Sequence, residues 1–303
     1  MTIAREPVQG WGAIICADRH FETVCSASQN LGQHTGIEVA DIIGHPAAGV
    51  FDEVLLHEVR NRLGHRHIAE VAERIGRQRI GNRLCDLFVH RSGDLAVLEL
   101  LPLPPTDIPN GFCAPAVDHL HLLIRGPDGE TRDVMLRDAL GRFRVLTGID
   151  RVMAIMPQPD RAGFALEFGS FGIAPDTNGV MAMADAVLSS MAVGPLFIPD
   201  LDAPMSVLVT SDDIILPGAG TAMILRPADD RMKRSLIAQG FGSAVVLPVH
   251  GQSRPVACLV AGAPAPQVPG SGQPLQIINV FARIVSILAD GCAESVNLAC
   301  GEG

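Results

Sequence analysis

The chain contains no tyrosine and a single tryptophan, and aromatics make up only 4% of its 303 residues. Aromatic ligand cages and base-stacking platforms have little to be built from. Cysteine occurs at positions 16, 25, 85, 113, 258, 292 and 300, an odd number with no C-x-x-C pair. That scatter fits buried or free thiols in a reducing compartment rather than a disulfide framework. No uncharged apolar run reaches the length of a membrane-spanning helix. Lys/Arg-rich runs are also missing from a chain of net charge −10. Nucleic acids and anionic lipids are bound through clustered cations, so neither is an expected partner. The opening residues MTIAREPVQG lack the apolar centre of a signal peptide, and a cytoplasmic location is expected. G-x-S-x-G, Walker, Rossmann, H-E-x-x-H and kinase signatures are absent, so no enzymatic activity is expected.

What is present is enough for two cores, since 48% of the residues are apolar and 18% charged. Patterning predicts strands at 12–17 and 23–28 and a helix over 51–63 with Val54, Leu55, Val59 and Leu63 at helical spacing. A second helical stretch is read at 68–75, then strands at 84–90 and 94–101 around the turn Arg91-Ser-Gly-Asp94. His90 and Arg91 are expected at a solvent-facing hairpin end. A Pro/Asn/Gly-rich link follows at 102–115, with a strand at 117–124 and a turn at Gly126-Pro-Asp-Gly129. Beyond it come a helix to Thr147, strands at 151–156 and 163–168, a helix near 181–191 and a strand at 206–209. A helix at 229–238, strands at 243–249 and 256–261, and a helix at 274–291 complete an α+β chain. The last helix carries Ile277, Ile278, Phe281, Ile284, Val285 and Leu288 as one stripe. Val280 and Ile287 widen that apolar surface and leave material for a partner helix. A protein partner or a homodimer through Ile277, Phe281, Ile284 and Leu288 is therefore expected.

Several segments resemble phytochrome photosensory modules. The stretch Arg142 to Met156, RFRVLTGIDRVMAIM after Leu140-Gly141, is similar to the start of the chromophore-carrying GAF domain. Arg5-Glu6-Pro7 followed by Val8 to Ile15 resembles the family's REP…IQPHGALL opening, with an intervening segment missing. Asp86 to Leu100 resembles the closing hairpin of the family's PAS domain. Ile198-Pro-Asp200-Leu-Asp202-Ala-Pro204 resembles I-x-D-V-D-x-P, and Leu225 to Gly240 aligns with LRSVSPVHLEYLRNMG. The resemblance implies a PAS-like domain at 1–102, a linker at 103–130, a GAF-like domain at 131–292 and a tail at 293–303. The family threads its N-terminal extension through a GAF loop, and the missing segment speaks against that here.

The family's GAF domain holds a bilin, whose protonated pyrroles and two propionates need hydrogen-bonded, charge-matched surroundings. Carried over residue by residue, most of those surroundings are replaced. No cysteine precedes Arg5, and Arg231 stands where the plant-type attachment cysteine would be. The pocket histidine corresponds to Met232, the PASDIP aspartate to Met181 within Gly179-Val-Met-Ala-Met183, and a pocket tyrosine to Ser190. One propionate arginine falls near Leu196, and the second histidine falls on Gly262. Arg226, the other propionate arginine, persists. The expected ligand-binding positions are thus Met181, Met183, Ser190, Arg226 and Met232. The function expected is a sensory or signalling module without cofactor, working through protein contacts. A sensor of another small ligand, with Arg226 as anion anchor, and a receptor holding biliverdin non-covalently are the alternatives.

The remaining polar clusters have ordinary explanations. His57, Glu58, His65 and His67 lack further ligands at zinc spacing, and His119 and His121 share one face of a strand. A surface arginine, or one tied to Asp200 or Asp202, is the structural reading of Arg226. Cys16 and Cys25 are expected opposite one another on paired strands.

Overall fold

A computed structural model describes residues 2–65, 72–103, 132–149, 151–158, 161–168, 195–210, 223–250, 255–267 and 273–299. The strand expected at 117–124, the turn at 126–129 and the helix near 181–191 lie outside these residues. The chain forms two compact units. Unit 1 takes the described residues of 1–108, 202–228 and 268–273, and unit 2 takes those of 109–201, 229–267 and 274–303. The N-terminal domain expected to close at residue 102 therefore also contains the excursion 202–228.

Unit 1 is built on β1 (Thr2–Gln9), β2 (Ala13–Ala17), β3 (Val24–Ser28), β4 (Glu73–Ile80), β5 (Arg83–Ser92), β6 (Leu95–Pro102) and β10 (Met205–Thr210). They form one antiparallel sheet in the order β1-β10-β3-β2-β6-β5-β4. Its helices are α1 (Leu31–Thr35) and α2 (Glu53–Leu63). The Asp52 carboxylate caps α2, accepting from Leu55 N–H at 2.7 Å. Leu55, Leu56, Val59 and Leu63 turn inward from α2 onto Ile15, Leu87, Val89 and Leu98 of the sheet. The helix was legible from its spacing, but Val54, read as part of the inward stripe, is 77% exposed and Leu56 takes the inward place.

Two expectations for unit 1 are corrected. The helix read over 68–75 gives way to β4 from Glu73 onward, residues 66–71 lying outside the described set. Seven of the eight β4 residues are neither buried nor regularly alternating, so no period of two shows in the sequence. Its partner holds it: Arg74 donates from Nε and Nη2 to the two carboxylate oxygens of buried Asp86, at 2.8 and 2.9 Å. His90 is not at a solvent-facing end either. Its side chain is fully buried, because β5 is covered on both faces from Cys85 to His90.

The N-terminal segment, short as it is, has partners. Thr2 faces Thr210 and Gln9 faces Met205 across an antiparallel ladder, with an irregularity between Ile3 and Pro7. Gly10 has to be glycine, since an added Cβ would collide with the Pro204 carbonyl. Asn30 donates to the Gly10 and Gly12 carbonyls at 3.0 and 2.9 Å, and His34 Nε2 lies 2.9 Å from the Gly10 oxygen.

Unit 2 contains α3 (Arg132–Thr147), β7 (Arg151–Gln158), β8 (Arg161–Phe168), β9 (Leu196–Ile198), α4 (Asp230–Ala238), β11 (Ser243–His250), β12 (Pro255–Ala263) and α5 (Gln273–Ala299). The antiparallel order is β8-β7-β12-β11-β9. Without β1 and β10, unit 1 has the same order, second-first-fifth-fourth-third. Phe143 of α3 and Phe281 of α5 stack with ring centroids 5.7 Å apart at 5°. Helices at both ends of the unit's sequence are thereby locked into one core.

Candidate functional site

Arg226 lies in unit 1 and is only 5% exposed. Burial lowers its pKa to about 10, while the negative charge of Glu99 works the other way and favours the cation. Glu99, on β6, is itself fully buried. Its two oxygens accept from Ile224 N–H at 2.9 Å and Leu225 N–H at 2.7 Å. Gln9 completes the arrangement: its N–H donates to Leu225 O at 2.8 Å, and its Nε2 donates to Arg226 O at 2.7 Å. His90 Nδ1 sits 3.3 Å from Glu99 Oε1 without hydrogen-bond alignment. One carboxylate thus pins the backbone of 224–225 to the sheet, and β1 covers the next carbonyls. Sequence reasoning missed Glu99, which reads as an alternating strand residue among leucines.

Met232 lies on α4 in unit 2, where the Asp229 side chain caps the helix by accepting from Arg231 and Met232 N–H. Its side chain is 2% exposed. The structure therefore does not place Arg226 and Met232 in the same unit. Met181, Met183 and Ser190 lie outside the described residues.

Gly262 sits on β12, opposite Arg151 of β7 and Ala244 of β11. A Cβ added there would lie 2.5 Å from Cε1 of Phe241. The ring of Phe241 occupies the volume that a side chain at 262 would need. The Arg151 guanidinium covers the same ring, its carbon 4.7 Å from the centroid, and Arg151 Nη1 donates to Gln239 O at 2.7 Å. A glycine in a central strand signals close approach of another group, and that was the available sequence signal for this stack.

On α5, Phe281 is fully buried against Phe143, whereas Ile277, Ile284 and Leu288 are half-buried. Val280 and Ile287 are 44% and 71% exposed. The expected interface residues therefore divide, with Phe281 committed to the unit's own core. Cys16 and Cys25 stand one register step apart on β2 and β3, and burial raises the pKa of both thiols. Both are poor nucleophiles in consequence. Among the described residues no three His, Cys, Asp or Glu side chains converge as metal ligands. No described helix is long and apolar enough to cross a membrane.

Residues 3–103 match the family model described as PAS fold. No curated protein matches the chain. Among solved structures, the chromophore-binding domain of the bacteriophytochrome RpBphP3 from R. palustris is 17% identical with a TM-score of 0.73, covering 96% of each chain. The chromophore-binding domain of Stigmatella aurantiaca phytochrome P1 is 15% identical with a TM-score of 0.74, covering 93% of this chain and 95% of that one. The chain has the fold of a bacteriophytochrome chromophore-binding domain. In this phytochrome-like fold, residues 3–103 form the PAS part, and the GAF-like part follows. The longer R. palustris RpBphP3 structure is matched over 97% of this chain but 60% of its own.

Proposed function

We propose that this chain is a non-enzymatic PAS–GAF signalling module that does not attach a bilin and acts through protein contacts. The observation that carries the reading is the Arg151–Phe241–Gly262 stack. By resemblance, position 262 is that of the second pocket histidine, and there the Phe241 ring leaves no volume for an imidazole. Met232, at the first histidine position, presents a buried thioether instead of a ring nitrogen. A protonated tetrapyrrole and its propionates would meet methyl, thioether and phenyl groups where they need partners, at roughly 1–3 kcal/mol for each group left unpaired. The residues present at these positions do not fit a bilin. Production in cells supplied with biliverdin tests this, with the expectation of a colourless protein of unaltered intact mass. A bilin adduct would refute it.

The contact surface proposed is the outer seam of α5. Ile278, Phe281, Val285 and Ala289 are buried in the unit, while Ile277, Val280, Ile284 and Ile287 are partly or fully exposed. The exposed four follow i, i+3, i+7, i+10, the a/d spacing by which two helices interlock. A second copy of the chain is the simplest partner for such a seam.

A further inference from the structure

A cleft of about 230 Å³ in unit 1 is lined by Arg19, His20, Glu22, Arg60, Leu63 and Arg91. Three guanidiniums and an imidazole face one acidic lining residue, in a chain whose net charge is −10. Like charges do not gather by default, so each has to be held. The loop 18–23 supplies part of the means. Asp18 accepts from the N–H groups of His20, Glu22 and Thr23 at 2.8–3.1 Å. Phe21 adopts φ 55°, a left-handed conformation that is costly for a bulky residue, while its side chain is fully buried. In this conformation the carbonyls of His20 and Phe21 accept from Arg60 Nε and Nη2, both at 3.3 Å. Arg91 donates from Nε to Leu63 O at 3.0 Å, covering the carbonyl end of α2.

These bonds use carbonyls, which are neutral, and engage only some of the donors on Arg60 and Arg91. Arg19 has a carboxylate near it, but Asp94 is 3.9 Å away and 95% exposed, a contact that contributes little. Among the described residues, exposed Asp94 and the single lining carboxylate of Glu22 are thus set against three guanidiniums, which leaves the cleft with an excess of positive charge. We propose that this cleft binds a small phosphoryl oxyanion, whose tetrahedral oxygens suit paired guanidinium donors. The occupant is inorganic phosphate or the terminal phosphate of a small metabolite. This site is separate from the bilin question and stands on unit 1 alone.

Calorimetric titration of the full chain with inorganic phosphate and with glycerol 3-phosphate tests it, with acetate as the comparison. The expected result is saturable one-to-one binding of at least one phosphate compound at millimolar concentration, weakened by added salt. The tighter of the two identifies the source of the phosphoryl group. Arg19→Gln, which removes no structural bond beyond the loose Asp94 contact, should weaken binding on the order of tenfold. Arg91→Gln should do the same, with circular dichroism checking the fold because its Nε bond is lost. Arg234→Gln, exposed on α4 in unit 2, should leave affinity unchanged. Absence of saturable binding, equal affinity for acetate, or indifference to Arg19→Gln would each overturn the proposal.

Discussion

Replacing Gly262 by alanine probes the stack on which the reading of unit 2 rests. The new Cβ would stand 2.5 Å from Phe241 Cε1 and 2.7 Å from Cγ. β12 is bonded on both sides, to β7 and β11, so the backbone cannot withdraw without loosening two ladders. Overpacking of this kind costs about 1–3 kcal/mol. Phe241→Leu alone removes ring atoms from a 4%-exposed side chain and the surface that Arg151 covers, for a loss of roughly 1–3 kcal/mol. In the double variant the smaller leucine makes room for the methyl. Its loss should fall short of the summed single losses by at least about 1 kcal/mol. Urea unfolding followed by far-UV circular dichroism reads these losses. Fluorescence of Trp11, the only tryptophan and part of unit 1, reports separately on whether unit 1 unfolds along with unit 2. Additivity within about 0.5 kcal/mol would show that the two positions do not compete for one volume.

Glu99→Ala strips the acceptor from two buried amides and removes a negative charge that favours the Arg226 cation, a loss of about 3–5 kcal/mol. Amide exchange at Ile224 and Leu225 should accelerate most, and unchanged protection there would contradict the pinning role. His34 has its pKa lowered, first by burial and also by Arg83, with the Gly10 carbonyl bond opposing. A lowered imidazole pKa means the unfolded chain takes up the proton more readily, so this contribution is present above about pH 6.5 and lost as pH falls through and below it. His34→Gln should flatten that part of the stability profile; an identical pH slope in both proteins would disprove the assignment. Ile287→Glu should convert a dimer to a monomer in light scattering after gel filtration, because the residue is 71% exposed and outside the unit's core. An unaltered mass would remove α5 as the interface.

Helices and strands with one buried stripe were legible from sequence, as α2, α3, α4 and α5 illustrate. What was hidden depends on partners far away in the chain. A strand was expected at 206–209, but nothing local says that it joins β1 and β3 in the sheet of unit 1. β4 escaped because an edge strand rich in Arg and Gln carries no apolar rhythm. His90 was misplaced because its strand is buried on both faces, and a hairpin register cannot reveal that. For the site, family resemblance pointed to positions 226, 232 and 262, yet it could not supply their surroundings. Glu99 and Phe241 come from 127 and 21 positions away in sequence, respectively from Arg226 and Gly262, and only folding brings them together. The equivalence of strand order in the two units was likewise invisible, since no repeat marks it in the residues.

Titration of the purified chain with biliverdin, followed by visible absorbance, addresses the central claim most directly. The spectrum should remain the sum of its separate components at every ratio. A sharpened, red-shifted band saturating at one biliverdin per chain would contradict the account.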